Sequence, residues 1–168
     1  TSLHVCGAKA VVVSASTDRP GDVCEVDLRA GSGELRTDVN IRVLAECRPA
    51  AVEKISFDRK GYEIQARLLF PQDFDDSKAY PLVLEIHGGP NGRFSDSYDT
   101  AQQILVGEGY LVLAVNPRGS SSYGPEFMKA VLRDWGGEDF LDLMAAVDLV
   151  SERGYVDTDR LGVHGYSY

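Results

Sequence analysis

The sequence contains few cysteines, no long apolar run and no excess of basic residues, and each shortage narrows what the protein can be. Cys6, Cys24 and Cys47 are odd in number and are not spaced as metal ligands. We therefore predict buried, reduced thiols in a cytoplasmic protein, with no metal ion and no other cofactor. No apolar run approaches the roughly 20 residues that a membrane-spanning helix needs.

The charge balance excludes further classes of partner. The chain has 17 basic and 26 acidic residues and a net charge of −9 at pH 7. Nucleic acids and anionic membranes are bound through clustered lysine and arginine, so neither is expected as a partner. The remaining composition, 43% hydrophobic and 26% charged over 168 residues, is that of a globular protein with its own core.

The first 50 residues have the pattern of antiparallel β structure. Residues 9–14 are a β-branched run, and residues 24–28 alternate apolar with charged side chains, which is the period of a half-buried strand. Residues 17–22 and 30–33 are rich in turn formers. An isolated hairpin is marginal in water, so we predict a hairpin that belongs to a larger all-β assembly.

A domain boundary is predicted at Arg48-Pro49, after an irregular connection over residues 37–50. It divides the chain into a first domain of residues 1–50 and a second of residues 51–168. The second domain opens with two alternating strands, 52–57 and 62–70, joined by a turn over 58–61. These strands predict the antiparallel edge of a sheet with one wet face.

The remainder of the second domain changes to an α/β pattern. Short apolar runs at 82–86, 110–115 and 161–164 predict strands that are buried on both faces. Between them, residues 97–108 and the stretch from Glu138 to Gly154 carry apolar side chains at helical spacing, with Ile104, Phe140 and Met144 on the predicted core faces. This alternation predicts a parallel sheet, and the fold class is α/β.

The last predicted strand runs into Gly165-Tyr166-Ser167-Tyr168, the first part of a nucleophile elbow. Such an elbow is a sharp, strained turn that raises the serine hydroxyl above the end of the sheet. Gly165 lets the neighbouring backbone approach, because it has no Cβ. The second glycine of the motif would follow Tyr168, where the sequence given ends. Ser167 is the candidate nucleophile.

A second motif, His87-Gly88-Gly89-Pro90, follows the buried strand at 82–86. Acyl transfer needs backbone N–H groups aimed at the developing oxyanion, and a Gly-Gly turn can bring its amides close. In an α/β-hydrolase one donor lies in this loop and the other on the residue after the nucleophile. The predicted donors are the amides of Gly89 and Tyr168.

The three histidines are not predicted to be the catalytic base. In α/β-hydrolases the acid and the histidine follow the serine along the chain, so both are expected beyond Tyr168. His87, at a strand end, is predicted to shape the loop, and His164, on a strand, is predicted to be packed. His4 has no evident role.

Residues 116–124, Asn-Pro-Arg-Gly-Ser-Ser-Ser-Tyr-Gly, follow the strand at 110–115. They therefore also lie at the carboxyl edge of the predicted sheet, outside which ligands bind in open α/β folds. Two interpretations remain open for this segment. It is either a flexible Gly/Ser connector or a contributor to the site.

Four segments together resemble the prolyl oligopeptidase family of serine peptidases, and its acylaminoacyl-peptidase-like branch in particular. They match in order and spacing, and the resemblance extends over residues 50–168: PLVLEIHGGP (81–90), NPRGSSSYG (116–124), WGGED (135–139) and DRLGVHGYSY (159–168). In this family a β-propeller precedes the hydrolase domain, so residues 1–50 are implied to belong to its last blade.

The resemblance implies that Ser167 is the nucleophile, with the Gly89 and Tyr168 amides as oxyanion donors. It implies the N-terminal half of an α/β-hydrolase domain that cleaves short peptides through an acyl-enzyme. Dipeptidyl-peptidase-type members have tyrosine where this chain has His87, which argues against that subgroup. A carboxylesterase or lipase of the same fold, and a non-enzymatic module that keeps the sheet, are the alternatives. Without the acid and the histidine of the triad, the 168-residue chain alone is expected to be inactive. An unpaired apolar edge of its sheet is expected to make it poorly soluble.

Overall fold

The computed structural model describes residues 3–167, which form two compact units. One unit contains the residues up to Pro49 together with Asp96–Thr100, and the other contains Ala50–Ser95 together with the residues from Ala101 onward. None of the helices in the described residues is both long enough and apolar enough to cross a membrane.

The first unit is built on a four-stranded antiparallel sheet whose strands neighbour one another in chain order: β1 (Leu3–Cys6), β2 (Lys9–Ser16), β3 (Arg19–Asp27) and β4 (Ser32–Leu35). β2 and β3 correspond to the two strands of the predicted hairpin, and Ala10 faces Val26 across them. The sequence pattern missed β1 and β4, because four-residue strands are too short to show an alternation.

Both predicted turns of this unit are shorter than the sequence indicated. β3 begins at Arg19, so Pro20 and Gly21 lie in a strand, and β4 begins at Ser32. β4 pairs with β3 only from Cys24 to Asp27, so Pro20, which has no N–H, removes no hydrogen bond between β3 and β4. The predicted irregular connection contains a short helix, α1 (Ile41–Glu46).

The cysteines are free thiols, as predicted, but only one of them is buried. Cys24 lies inside β3, whereas Cys6 and Cys47 are exposed. The prediction of burial is therefore wrong for these two. Cys6 ends an edge strand, and Cys47 follows α1, a helix with no buried residue.

The second unit contains a five-stranded mixed sheet, and the predicted α/β class is confirmed. Its elements along the chain are β5 (Ala51–Arg59), β6 (Tyr62–Phe70), β7 (Tyr80–Ile86), α2 (Thr100–Gly107), β8 (Leu111–Asn116), α3 (Pro125–Lys129), α4 (Glu138–Ser151) and β9 (Val156–Gly165). The strand order is β5-β6-β8-β7-β9. β5, β6 and β8 pair antiparallel, while β8, β7 and β9 run parallel.

β7 lies between β8 and β9, and this order determines where a site can form. The chain leaves β7 to form β8 on one side, then returns to form β9 on the other. In open α/β sheets the crevice beyond the carboxyl ends of such strands is where ligands bind. The loops after β7 and β9 therefore border the expected site.

Two apolar clusters cover the two faces of this sheet. Leu111, Leu113 and Val115 of β8 belong to the larger one, together with α4 residues such as Val147, while Val112 belongs to the smaller one with Val106 of α2. Successive residues of β8 therefore pack against opposite faces of the sheet, and all of them are buried because both faces are covered.

In the second unit the predictions of burial are wrong for parts of α2, α4 and β9. Inward-facing polar side chains explain the errors in α2 and α4. Ile104 of α2 is 61% exposed, because Gln102 turns inward and its Nε2 donates to Glu85 Oε2 at 2.7 Å. Phe140 of α4 is 51% exposed and Met144 is also exposed, because Asp139 and Asp142 occupy the inward face. An apolar periodicity does not detect helix positions that aspartates and glutamines fill.

The third wrong prediction concerns β9. It was expected to be buried on both faces, yet after Val156 and Asp157 its residues are exposed, with Val163 at 70%. Among the described residues β9 pairs with β7 alone and is the edge of the sheet. Its other side therefore has no neighbouring strand in the part of the chain that the structure describes.

The turn between β5 and β6 has two residues, Lys60 and Gly61, rather than the predicted four. Both have positive φ, 53° and 80°. This conformation joins twisted antiparallel strands without splaying them. Asp58 and Arg59 therefore belong to β5, which places Arg59 on a strand, with consequences for the site.

Candidate active site

The two predicted motifs meet at the carboxyl ends of β7 and β9. These strands are hydrogen-bonded in parallel, with Ile86 paired to Gly165. A β-carbon built on Gly88 would lie 3.0 Å from the carbonyl oxygen of Tyr166 and 3.2 Å from Cβ of Ser167. The Gly-Gly loop therefore passes directly beside the serine, and any side chain at position 88 would crowd it.

Ser167 lies in a strained turn. Its φ is 71°, in the left-handed region that residues with a side chain rarely adopt. Gly165 permits the approach before the turn, since a β-carbon there would lie 3.1 Å from the Ile86 carbonyl oxygen. Ser167 is exposed, and no side chain among residues 3–167 hydrogen-bonds its hydroxyl. The hydroxyl is thus presented at the sheet edge and open to a reacting group.

Of the two predicted oxyanion donors, the structure places one. Gly89 has a φ of 152°, and a β-carbon there would lie 2.4 Å from the Asn91 nitrogen and 2.5 Å from the Gly92 nitrogen. Only glycine fits that position, and the loop folds tightly around it. Tyr168, the other predicted donor, lies outside the described residues.

His87 is held inside the loop and not aimed at Ser167. Its Nε2 lies 2.9 Å from Ser120 Oγ, its Nδ1 lies 2.9 Å from the Gly88 carbonyl oxygen, and Phe94 packs edge-on against the ring. Burial lowers the pKa of His87, although the hydrogen bond to Gly88 acts in the opposite direction. The lowered pKa favours the neutral form of the ring.

His164 is not packed, so that prediction is wrong. Its side chain is 52% exposed, and its Nδ1 lies 3.8 Å from Oε1 of Glu85. The reason is the position of β9 at the sheet edge, which leaves one side of the strand open. His4 lies on β1, outside the predicted hairpin, and is exposed.

The segment after β8 is the part of the site that the sequence left undecided. Residues 116–120 are all buried, which excludes a flexible connector. Asn116 Nδ2 donates to the Phe94 carbonyl at 3.0 Å, and its Oδ1 accepts from the Phe94 amide at 2.8 Å. Asn91 Nδ2 donates to the Gly119 carbonyl at 2.8 Å. The segment therefore binds the loop that follows β7.

A buried ion-pair network joins the segment after β8 to α4. Arg118 Nε and Nη2 donate to the two carboxylate oxygens of Asp142 at 2.9 and 2.8 Å, and the Arg118 amide donates to Asp142 Oδ2 at 3.0 Å. Asp142 is fully buried. Its hydrogen bonds and charge raise the pKa of Arg118. This fork of two parallel bonds is the strong form of the pair.

Glu138 extends the network to the β5–β6 turn. It accepts from Lys60 Nζ at 2.6 Å, Arg59 Nη1 at 2.7 Å and Arg118 Nη2 at 2.8 Å. These bonds, that from Lys60 first, lower the pKa of Glu138 to about 2. No pattern in the sequence indicates this network, because its members come from β5, the β5–β6 turn, the segment after β8, and α4. Within residues 3–167 no group of three or more His, Cys, Asp or Glu side chains is placed to hold a metal ion.

Sequence comparison finds relatives that are named as peptidases. Residues 96–168 match the model of the prolyl oligopeptidase family. An uncharacterized peptidase of Bacillus subtilis, YuxL, is 37% identical over 153 residues, which is 90% of this chain and 23% of the relative. A probable dipeptidyl-peptidase 5 of Emericella nidulans is 39% identical over 123 residues, which is 71% of this chain and 17% of the relative. Relatives with that name do not support the expectation that His87 argues against the dipeptidyl type.

Solved structures show the same fold. A puromycin hydrolase matches 98% of this chain and 26% of its own, at 29% identity and a TM-score of 0.83. An acylaminoacyl peptidase of Pyrococcus horikoshii, at 24% identity, shares the fold over 95% of this chain and 26% of its own, with a TM-score of 0.86. The chain thus spans about a quarter or less of the length of each relative. Family model, relatives and structures agree, and the chain belongs to the prolyl oligopeptidase family.

Proposed function

We propose that the protein is a serine peptidase that cleaves short peptides through an acyl-enzyme intermediate. The observation that carries this proposal is Ser167, exposed in a left-handed turn at the end of β9 and in contact with the Gly-Gly loop after β7. A strained strand-end serine beside a loop of glycine amides is the arrangement that acyl transfer needs.

In the proposed reaction Ser167 Oγ attacks the scissile carbonyl carbon and gives up its proton to a histidine. The Gly89 and Tyr168 amides hold the oxyanion of the tetrahedral intermediate. Its collapse breaks the C–N bond, the histidine returns the proton to the leaving amine, and water then hydrolyses the ester. We propose that the histidine and its acid come from chain beyond Tyr168 in the whole gene product.

The first unit supports the proposal that a β-propeller precedes the hydrolase domain in the whole protein. Four antiparallel strands in chain order are the unit of a β-propeller blade, so we propose that residues 1–50 belong to such a blade and residues 51–168 to the hydrolase domain. Exposed free thiols at Cys6 and Cys47 are typical of a reducing compartment, which supports the cytoplasm as the location.

The substrate class is tested on the whole gene product with an aminoacyl anilide and a simple alkyl ester. We expect amide cleavage, labelling of Ser167 by a fluorophosphonate, and loss of both in Ser167→Ala. Turnover of the ester alone would overturn the peptidase proposal in favour of a carboxylesterase. No turnover and no labelling would favour a non-enzymatic module.

The 168-residue chain by itself is proposed to be inactive. Within residues 3–167 no side chain hydrogen-bonds the Ser167 hydroxyl, and a serine hydroxyl without a base is a weak nucleophile at neutral pH. The exposed apolar residues of the β9 edge, Leu161 and Val163, also favour aggregation. Stoichiometric fluorophosphonate labelling of the purified chain, absent in Ser167→Ala, would contradict this proposal.

A further inference from the structure

We propose that Ser120 and His87 are positioning residues that fix the Gly88–Gly89 peptide unit in the orientation that the oxyanion donor requires. The inference rests on the proposed function, because it concerns the Gly89 amide. It assigns a role to two side chains that do not contact Ser167.

The proton positions follow from counting donors. A neutral imidazole has one N–H, and a carbonyl oxygen can only accept. The 2.9 Å contact between His87 Nδ1 and the Gly88 carbonyl therefore places the ring proton on Nδ1. Nε2 is then an acceptor 2.9 Å from Ser120 Oγ. The Ser120 hydroxyl donates to the Pro117 carbonyl at 2.7 Å and shares the same proton with Nε2. The Pro117 carbonyl also accepts from the Ser120 amide at 3.1 Å.

The Gly88 carbonyl belongs to the same peptide plane as the Gly89 N–H. That peptide bond is trans, so its C=O and N–H point in opposite directions. When His87 holds the carbonyl oxygen, it also sets the direction in which the Gly89 N–H points. A peptide between two glycines has little other restraint on its orientation. The side chains of His87 and Ser120 supply that restraint.

Gly92 packs closely against the same peptide unit. A β-carbon on Gly92 would lie 2.1 Å from the Gly88 carbonyl oxygen and 2.9 Å from His87 Nδ1. Gly92 therefore packs directly against the hydrogen bond. The Gly92 carbonyl in turn accepts from the Ser121 amide at 3.0 Å. The loop after β7 and the segment after β8 thus hold the peptide from two sides.

Ser120 and His87 have the spacing of a serine–histidine dyad, but they cannot act as one. Ser120 is completely buried, so no substrate carbonyl can reach its hydroxyl. Its segment is fixed by the bonds between Arg118 and Asp142. A buried, anchored hydroxyl is suited to holding the imidazole in one tautomer, which is the task that an acid performs for a catalytic histidine.

Two substitutions of His87 separate this role from simple packing. The amide nitrogen of His87→Asn can occupy the position of Nδ1 and donate to Gly88, whereas that of His87→Gln reaches the position of Nε2. In the whole gene product we expect His87→Gln to lower kcat by about 10- to 100-fold with little change in KM, since removing an oxyanion donor costs roughly 10²- to 10³-fold. His87→Asn should stay within about fivefold of the wild type.

A peptide aldehyde provides a readout of the oxyanion site itself, because its adduct with serine places an oxyanion there. Its affinity should fall in His87→Gln by the same factor as kcat, and remain in His87→Asn. Ser120→Ala should show an intermediate loss. Ser121→Ala is the matched control, because it keeps the backbone bond to Gly92 and should change nothing.

The outcomes separate the two proposals. A wild-type enzyme without amide or ester turnover would overturn the proposed function and this inference with it. An active wild type in which the Asn and Gln variants lose activity equally, or keep their aldehyde affinity, would overturn the inference alone. The ¹⁵N spectrum of the histidine-labelled wild type tests the inference without depending on whether a variant folds. A proton on Nδ1 of His87 supports it, and a proton on Nε2 in the neutral ring overturns it.

Discussion

Replacing Asp142 with asparagine should loosen the whole segment that carries Arg118. Asp142 is fully buried and accepts four hydrogen bonds, three from Arg118 and one from Arg59 Nη1 at 3.0 Å. Asparagine has nearly the same shape, but it loses the charge and turns an NH₂ group toward N–H donors. Removing one partner of a buried ion pair costs about 3–5 kcal/mol.

The assay is hydrogen exchange of the β8 and α4 amides in the whole gene product. At about 1.4 kcal/mol per tenfold change, the opening equilibrium should rise by about two to three and a half orders of magnitude. Asp148→Asn is the control, because it makes the same change at an exposed position of α4. If Asp142→Asn opens within threefold of Asp148→Asn, the network does not anchor the segment and the reasoning is wrong.

Two further predictions concern the same region. The pKa of Glu138 is held near 2, below its unfolded value of about 4.3, so its stabilising contribution is complete above the unfolded value and lost as the pH falls toward 2. The acid sensitivity of α4 exchange should therefore decrease in Glu138→Gln, and an unchanged profile would contradict the assignment. Gly92→Ala should lower kcat, because the new methyl group would lie 2.1 Å from the Gly88 carbonyl oxygen. Gly107→Ala, at a position with open space, should retain full activity.

The sequence predicted the fold of the second unit well wherever apolar side chains alone determine burial. β7 and β8 lie where continuous apolar runs placed them, and both are central strands. The pattern failed where polar side chains point inward, as Gln102 does toward Glu85 and Asp142 does toward Arg118. Those pairs are joined by the tertiary structure, and a one-dimensional pattern contains no information about which partner a charge will meet.

The motifs of the candidate site could be predicted from the sequence, but the side chains that hold those motifs in place could not. Gly-Gly and Gly-x-Ser can be recognised because backbone strain and close approach demand glycine. Ser120 could not be singled out among three consecutive serines, since only its burial beside His87 distinguishes it. The same limit applies to β9, whose apolar sequence predicts burial while its place in the sheet leaves it exposed.

The pairing of β7 with β9 also has a consequence for how the protein is made. Of the strand pairs in the second unit, it joins the segments that lie farthest apart in the sequence. Contacts with large sequence separation close the longest loops, and we expect them to form after the local ones. During synthesis the glycine loop emerges long before Ser167 does. The proposed nucleophile is therefore an ordinary hydroxyl until β9 has paired with β7, and a nascent chain would not yet have the proposed hydrolytic site.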